Sequence, residues 1–204
     1  MAFSSIYNWL YNGVLNKCSV ELLRRKGKSL NPKETRGKFN IGKTIKQRPK
    51  EVRKRITVDY WELDTVVSSR GKSKACLSTF IESKTRLTKI RVMPNRKAIT
   101  FNEHCKITLN EFDSKSLKIF TLDHGKEFAD YVYLESNLKV NVYFADPYSS
   151  WKRGTNENTN RLIREFFPKK FDFSTITQKE VDIVEGYLNN RLRKCLGSPP
   201  FRSI

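Results

Sequence analysis

Three acidic residues carry the strongest chemical signal in this 204-residue chain. Asp64 lies within Trp61-Glu62-Leu63-Asp64-Thr65-Val66, Asp123 within Thr121-Leu122-Asp123-His124-Gly125, and Glu157 within Gly154-Thr155-Asn156-Glu157-Asn158-Thr159-Asn160. Carboxylate oxygens are hard ligands that suit magnesium, an ion that keeps several waters and takes its remaining ligands from substrate phosphate. Two such ions about 3.5–4 Å apart can activate an attacking oxygen and steady a leaving one in an in-line displacement at phosphorus. Taken singly, each acid also has a plainer reading. Asp123, before His-Gly, can form a turn, and Glu157 can pair with Arg161 four residues on. Asp64, ringed by Leu63, Val66 and Val67, is harder to dismiss, because an acid in an apolar strand is costly unless partnered. Three acids crowded together would repel one another without cations, so their convergence would define a metal site.

The elements that must position them follow from the pattern. ITVDYWELDTVV is rich in β-branched and aromatic residues and predicts a strand. Ala75–Ile81 and Arg86–Met93 predict two more, joined by turns short enough to force antiparallel neighbours. Ala98, Phe101, Cys105, Leu109 and Phe112 then recur at helical spacing. A strand over Leu117–Asp123 follows, next a helix with Phe128, Tyr131, Leu134 and Leu138 on one face, and a strand over Lys139–Phe144. A long helix is expected to begin around residues 151–156 and to end at Phe167, because Pro168 bars its continuation. Thr177-Gln178-Lys179-Glu180 is a capping box that opens a last helix. Three meandering strands followed by right-handed crossovers make an α/β fold, a ribonuclease H-like mixed five-stranded sheet flanked by helices. In that layout the first and fourth strands are neighbours, so Asp64 and Asp123 can converge, and the long helix can deliver Glu157.

Ahead of this body the chain reads differently. Residues 4–25 look helical. From Lys26 to Arg55 the only aliphatic or aromatic residues are Leu30, Phe39, Ile41, Ile45 and Val52, a composition that predicts a basic, extended arm. The expected organisation is a helical segment over 1–25, an arm over 26–55 and a catalytic domain over 56–204. The net charge of +19 is uneven, since residues 1–57 carry 15 Lys and Arg against 3 acids. A basic segment beside a more balanced body points to a polyanion partner, whose condensed counterions are released on binding. The arm lacks a wide apolar face, which argues against a membrane partner. No stretch approaches the roughly 18 apolar residues of a membrane span, and the start reads as an ordinary helix of a cytosolic protein. Cys18, Cys76, Cys105 and Cys195 show no zinc-site spacing and read as reduced thiols.

Several stretches resemble transposases of the insertion-sequence-30 family: RPKEVRKR, WELDTVV, TLDHGKEFAD, VYFADPYSSWKRGTNENTNRLIREFFPKK and LNNRLRKCLG. The resemblance covers roughly residues 4–200 and is most specific from Tyr143 to Lys170. With 33 residues between Asp123 and Glu157, it implies that Asp64, Asp123 and Glu157 form a DDE triad binding Mg2+ or Mn2+, as two ions. It implies cleavage and strand transfer at DNA, with transposon terminal inverted repeats and target DNA as partners. It further implies a homo-oligomer assembled on DNA, in the bacterial cytoplasm at the nucleoid. Arg164, seven residues after Glu157, matches a basic position of many DDE enzymes. Glu157, Asn160, Arg161 and Arg164 would share a helix face, and with Lys152 and Arg153 they are the expected DNA contacts. This chain departs from the family pattern at Asp59-Tyr60, at His124, at Ser150-Trp151-Lys152-Arg153-Gly154 and at Arg191-Leu192-Arg193, none of them an expected ligand. Family members carry an N-terminal helix-turn-helix region of which Ser4–Leu15 resembles only the last helix. A nuclease without strand transfer and a catalytically idle DNA-binding remnant are the rival expectations.

Overall fold

The computed structural model describes residues 3–14, 42–68, 73–145 and 154–193, together with Gly71 and Leu196. The chain divides into two units, residues 1–39 and 40–204. In the first, helix α1 spans Phe3–Tyr11 and ends where Gly13 takes a left-handed φ of 68°, a conformation glycine adopts without a Cβ penalty. Leu22 and Leu23, expected on the same helix, lie outside the described residues.

The second unit is a six-stranded sheet: β1 (Lys43–Thr44), β2 (Tyr60–Val67), β3 (Cys76–Glu82), β4 (Thr88–Met93), β5 (Ile119–Leu122) and β6 (Asn141–Phe144). Its order is β1-β6-β5-β2-β3-β4, with β2-β3-β4 antiparallel and β1, β6, β5 and β2 parallel to their neighbours. The meander turns tightly because Glu82 accepts from the Lys84 and Thr85 amides, at 3.0 and 2.6 Å, and from the Thr85 hydroxyl at 2.7 Å. Alternation along β2 feeds two cores. Trp61 and Leu63 pack with Phe101, Cys105 and Leu109 of α2 (Ala98–Leu109) and Leu134 of α3 (Tyr131–Leu138). Val66 packs on the other face with Leu162 and Ile163 of α4 (Gly154–Phe166) and Val181, Val184 and Leu188 of α5 (Gln178–Asn190). Cys76 and Cys105 are buried free thiols in the first core, and burial pushes the Cys76 thiol up to about 12.

The expected ribonuclease H-like layout is present with one strand more than the five predicted. Residues 42–55, read from sequence as part of the extended arm, fold onto the body. β1 pairs with Tyr143 and Phe144, and two 3-10 turns follow at Ile45–Gln47 and Lys50–Lys54. Ile45 is buried, and Val52 is buried against Tyr60, Ile119 and Tyr143. Two well-placed aliphatic residues suffice here because the sheet supplies the rest of the apolar surface.

The opposite edge, β4, is satisfied by side chains. Thr88, Ile90 and Val92 donate their amides to Asn189, Glu185 and Gln178 of α5 at 2.9, 2.7 and 2.9 Å. Gln178 and Asn189 return the contact to the Ile90 and Thr88 carbonyls at 2.9 and 2.8 Å. An edge strand normally presents such groups unpaired, so α5 substitutes for a seventh strand.

Candidate active site

β2 and β5 run parallel with Tyr60 opposite Ile119, Trp61 opposite Phe120 and Glu62 opposite Thr121. Carried two residues further, this register sets Asp64 level with Asp123, which directly follows β5. Adjacent strands lie about 4.8 Å apart, and Asp64 rises on the face that meets α4. Both aspartates are half-buried. Asp64 accepts from the Thr65 amide at 2.9 Å through one oxygen and from the Asn160 side-chain amide at 2.9 Å through the other. Asp123 accepts from the Gly125 amide at 2.8 Å, which folds its loop back over the strand end.

α4 is tied to this pair through Asn160. Glu157 lies three residues toward the N-terminus, about 4.5 Å along the axis at the standard helical rise. It is exposed. Among the described residues no three His, Cys, Asp or Glu side chains stand close enough together to hold a cation jointly. The strand register thus sets Asp64 and Asp123 at matching levels of neighbouring strands, while Glu157 is exposed on α4. The donor set fits a hard divalent ion at Asp64 and Asp123, two carboxylates that share one face at adjacent positions.

The other expected contacts are distributed less simply. Asn160, expected at DNA, spends its amide donor on Asp64. Arg161 is exposed and reaches Asn158 at 3.4 Å. Arg164 turns back on the protein. It donates to the carbonyls of Val67, Phe167 and Pro168 at 2.6, 3.4 and 3.3 Å and lies 5.4 Å from the centre of the Phe173 ring. It closes the C-terminal end of α4, whose last carbonyls have no helical donor. Lys152 and Arg153 lie outside the described residues. His124 stacks on Phe144, ring centres 5.4 Å apart. Asp59, one of the departures from the family pattern, is buried and accepts from Lys118 at 2.5 Å, bracing the entry to β2 against β5.

A supporting carboxylate, Glu127, was not singled out from sequence. It sits in the 3-10 turn Lys126–Phe128 and is 1% exposed. One of its oxygens accepts from the Thr65 hydroxyl at 2.5 Å and from Arg96 at 2.5 and 3.1 Å. It thus joins the residue after Asp64 to the loop after Asp123. Gly125 makes room for it, since a Cβ there would meet the Glu127 carboxylate oxygen at 2.5 Å. The signal was present in Asp123-His124-Gly125-Lys126-Glu127, where an acid follows a glycine in an otherwise turn-forming run.

The fold is also that of solved viral integrases. The catalytic core domain of BIV integrase superposes with a TM-score of 0.51 at 15% identity, over 71% of this chain and 91% of that one. A chain of the simian T-cell lymphotropic virus intasome, in complex with PP2A regulatory subunit B56 gamma, gives 0.57 at 12% identity, over 70% and 52%. The architecture is therefore the ribonuclease H-like fold of integrase catalytic cores. In sequence the chain is similar to transposases of insertion sequence elements. It is 35% identical to the transposase InsI of insertion sequence element IS30C of Escherichia coli (strain K12), over 94% of this chain and 52% of that protein. It is 34% identical to the transposase of element IS4351 of Bacteroides fragilis, over 97% and 61%. The chain spans between half and two thirds of the length of these relatives. No family model matches it.

Proposed function

We propose that the chain is the catalytic domain of a DDE-type transposase, a polynucleotidyl transferase that cuts DNA phosphodiesters at element ends and joins them to a target. The observation that supports it most directly is the pairing of Asp64 with Asp123 on adjacent parallel strands at the centre of an integrase-like sheet. Asp64 and Asp123 would hold the divalent metal, Mg2+ or Mn2+, with Glu157 completing the set from α4. When bound, two such ions would supply the charge that activates the attacking oxygen and neutralises the leaving one.

The chain's own residues prepare that site. The Thr65, Gly125 and Asn160 donors orient the two aspartates. α4 carries Glu157 beside them. Water would attack the first phosphodiester, leaving a 3′-hydroxyl and a 5′-phosphate. That 3′-hydroxyl would then attack a target phosphorus, forming one P–O bond as the target's own 3′-oxygen leaves with a proton. The joining step thus exchanges one phosphodiester for another. Terminal inverted repeats and target DNA are the partners of this reading, assembly on DNA as a homo-oligomer its working state, and the bacterial nucleoid its place of action.

Pre-cut element ends incubated with the intact chain and Mg2+ or Mn2+ provide the test. Joined products are expected from the wild type and none from Asp123→Ala. Absence of joined product from the wild type, or undiminished joining by the variant, rejects the reading.

A further inference from the structure

The refolded end of the basic arm builds a second feature beside the aspartates. The 3-10 turns and β2 line a half-open cleft of about 420 Å3 walled by Arg48, Arg53, Arg55, Glu62 and Ser83, among others. That volume lies within the roughly 300–1,000 Å3 of small-ligand pockets. Glu62 is on the same face of β2 as Asp64 and two residues away, about 7 Å along the strand. Arg48 donates to Thr121 at 2.9 Å, and Arg55 lies 3.7 Å from Glu62. Among the described residues Glu62 is the one acid on the wall, against three guanidinium groups.

A fourth arginine, Arg86, meets Arg55 beyond this wall. Arg55 and Arg86 both donate to the hydroxyl of Thr155, in the first turn of α4. Both carry left-handed backbone, with φ of 52° and 64°, a conformation uncommon for residues with side chains and one that persists where surroundings enforce it, often at functional sites. Two cations thus converge on one neutral oxygen at a helix N-terminus, the positive end of the helix dipole. Burial holds the Arg48 guanidinium below its ordinary value, and Arg53 and Arg55 push it the same way despite Glu62. Cations gathered in this proportion repel one another, and an anion relieves both the repulsion and the dipole.

We propose that this cleft is a phosphate subsite, taking a backbone phosphate of the DNA strand whose scissile phosphodiester lies at Asp64 and Asp123. The assignment rests on the transposase reading for its ligand and deepens it by naming the grip. Its position explains why the basic arm folds back here: RPKEVRKR delivers guanidinium groups to the substrate side of the sheet.

Arg53 is the probe of choice, because its exposed side chain can be changed without opening the core. Binding of the full chain to a labelled duplex of arbitrary sequence is followed by anisotropy over a series of KCl concentrations in EDTA, with thermal unfolding as the check on folding. Arg53→Gln is expected to bind several-fold more weakly, with a slope of log K against log [KCl] shallower by about 0.9, the loss of one phosphate contact. Arg53→Glu should bind more weakly still, and Arg53→Lys should restore the slope. Wild-type slopes and affinities in both Arg53→Gln and Arg53→Glu overturn the proposal. So does stabilisation of the wild type, but not of Arg53→Gln, by inorganic phosphate with DNA slopes unchanged, because the cleft then takes free anions. Metal-dependent joining by the wild type is scored in parallel. A shifted slope without any joining removes the catalytic reading and leaves the phosphate site standing.

Discussion

At the scale of single residues, the site depends as much on what holds the aspartates as on the aspartates themselves. Asn160 fixes one Asp64 oxygen at 2.9 Å, and Glu127 ties Thr65 to the loop after Asp123. Groups that orient ligands in this way are commonly worth about 10–100-fold in metal affinity or activity. Asn160→Ala is therefore expected to lower metal-dependent DNA joining by about that factor while raising the metal concentration needed for half-maximal rate. A rate that falls with an unchanged metal requirement would assign Asn160 to DNA instead. Asp64 stands out in sequence because an acid flanked by Leu63 and Val66 has few innocent explanations. Asn160 does not. An asparagine on a helix surface looks the same whether it meets a phosphate or a carboxylate, and only the packing of α4 on β2 distinguishes them.

At the scale of elements, the long connection from α4 to α5 is secured by Asp172. Its carboxylate accepts from Ser73 at 2.5 Å and from the amide and hydroxyl of Ser174 at 2.9 and 2.8 Å, joining this connection to the β2–β3 loop. Those hydrogen bonds, that of Ser73 first, hold its acidity at about 2 against an ordinary 3.8. The folded value is depressed, so the stabilisation is complete above the ordinary value and disappears as pH falls toward 2. The Tm difference between wild type and Asp172→Asn should be widest above pH 3.8 and close as pH approaches 2. A difference that is flat with pH would show that the charge plays no part. The strands and helices around this connection were legible from periodicity, and the capping box at Thr177 fixed the start of α5. The role of α5 was hidden, because Gln178, Glu185 and Asn189 read as a solvent-facing polar stripe until β4 is known to lie beneath them. Residues 42–55 were hidden for a similar reason. Ile45 and Val52 are too few to suggest burial when the surface Val52 covers belongs to residues as distant in the chain as Ile119 and Tyr143.

At the scale of the whole molecule, a net charge of +19 coexists with the two carboxylates of the candidate site, and the proposed reading would have DNA approach both. On that reading the carboxylates would repel a phosphodiester in metal-free buffer, while the arginines near them would attract it. An Asp64→Asn, Asp123→Asn double variant should accordingly bind duplex DNA at least as tightly as the wild type in EDTA, with joining reduced to background. Weaker binding measured by anisotropy would mean that the aspartates organise the surface rather than oppose the strand. The division of labour implied is simple: cations capture, and acids act once metal neutralises them.

The two-residue strand β1 has a practical consequence. A shortened recombinant fragment begun at Ile56, where composition first turns apolar, would strip β6 of its outer neighbour and lay bare the Ile119 and Tyr143 side chains that Val52 shields. Such a fragment would offer a raw backbone rim to other copies of itself and tend to precipitate. Starting at Asn40 instead keeps that rim sealed and should yield well-behaved protein.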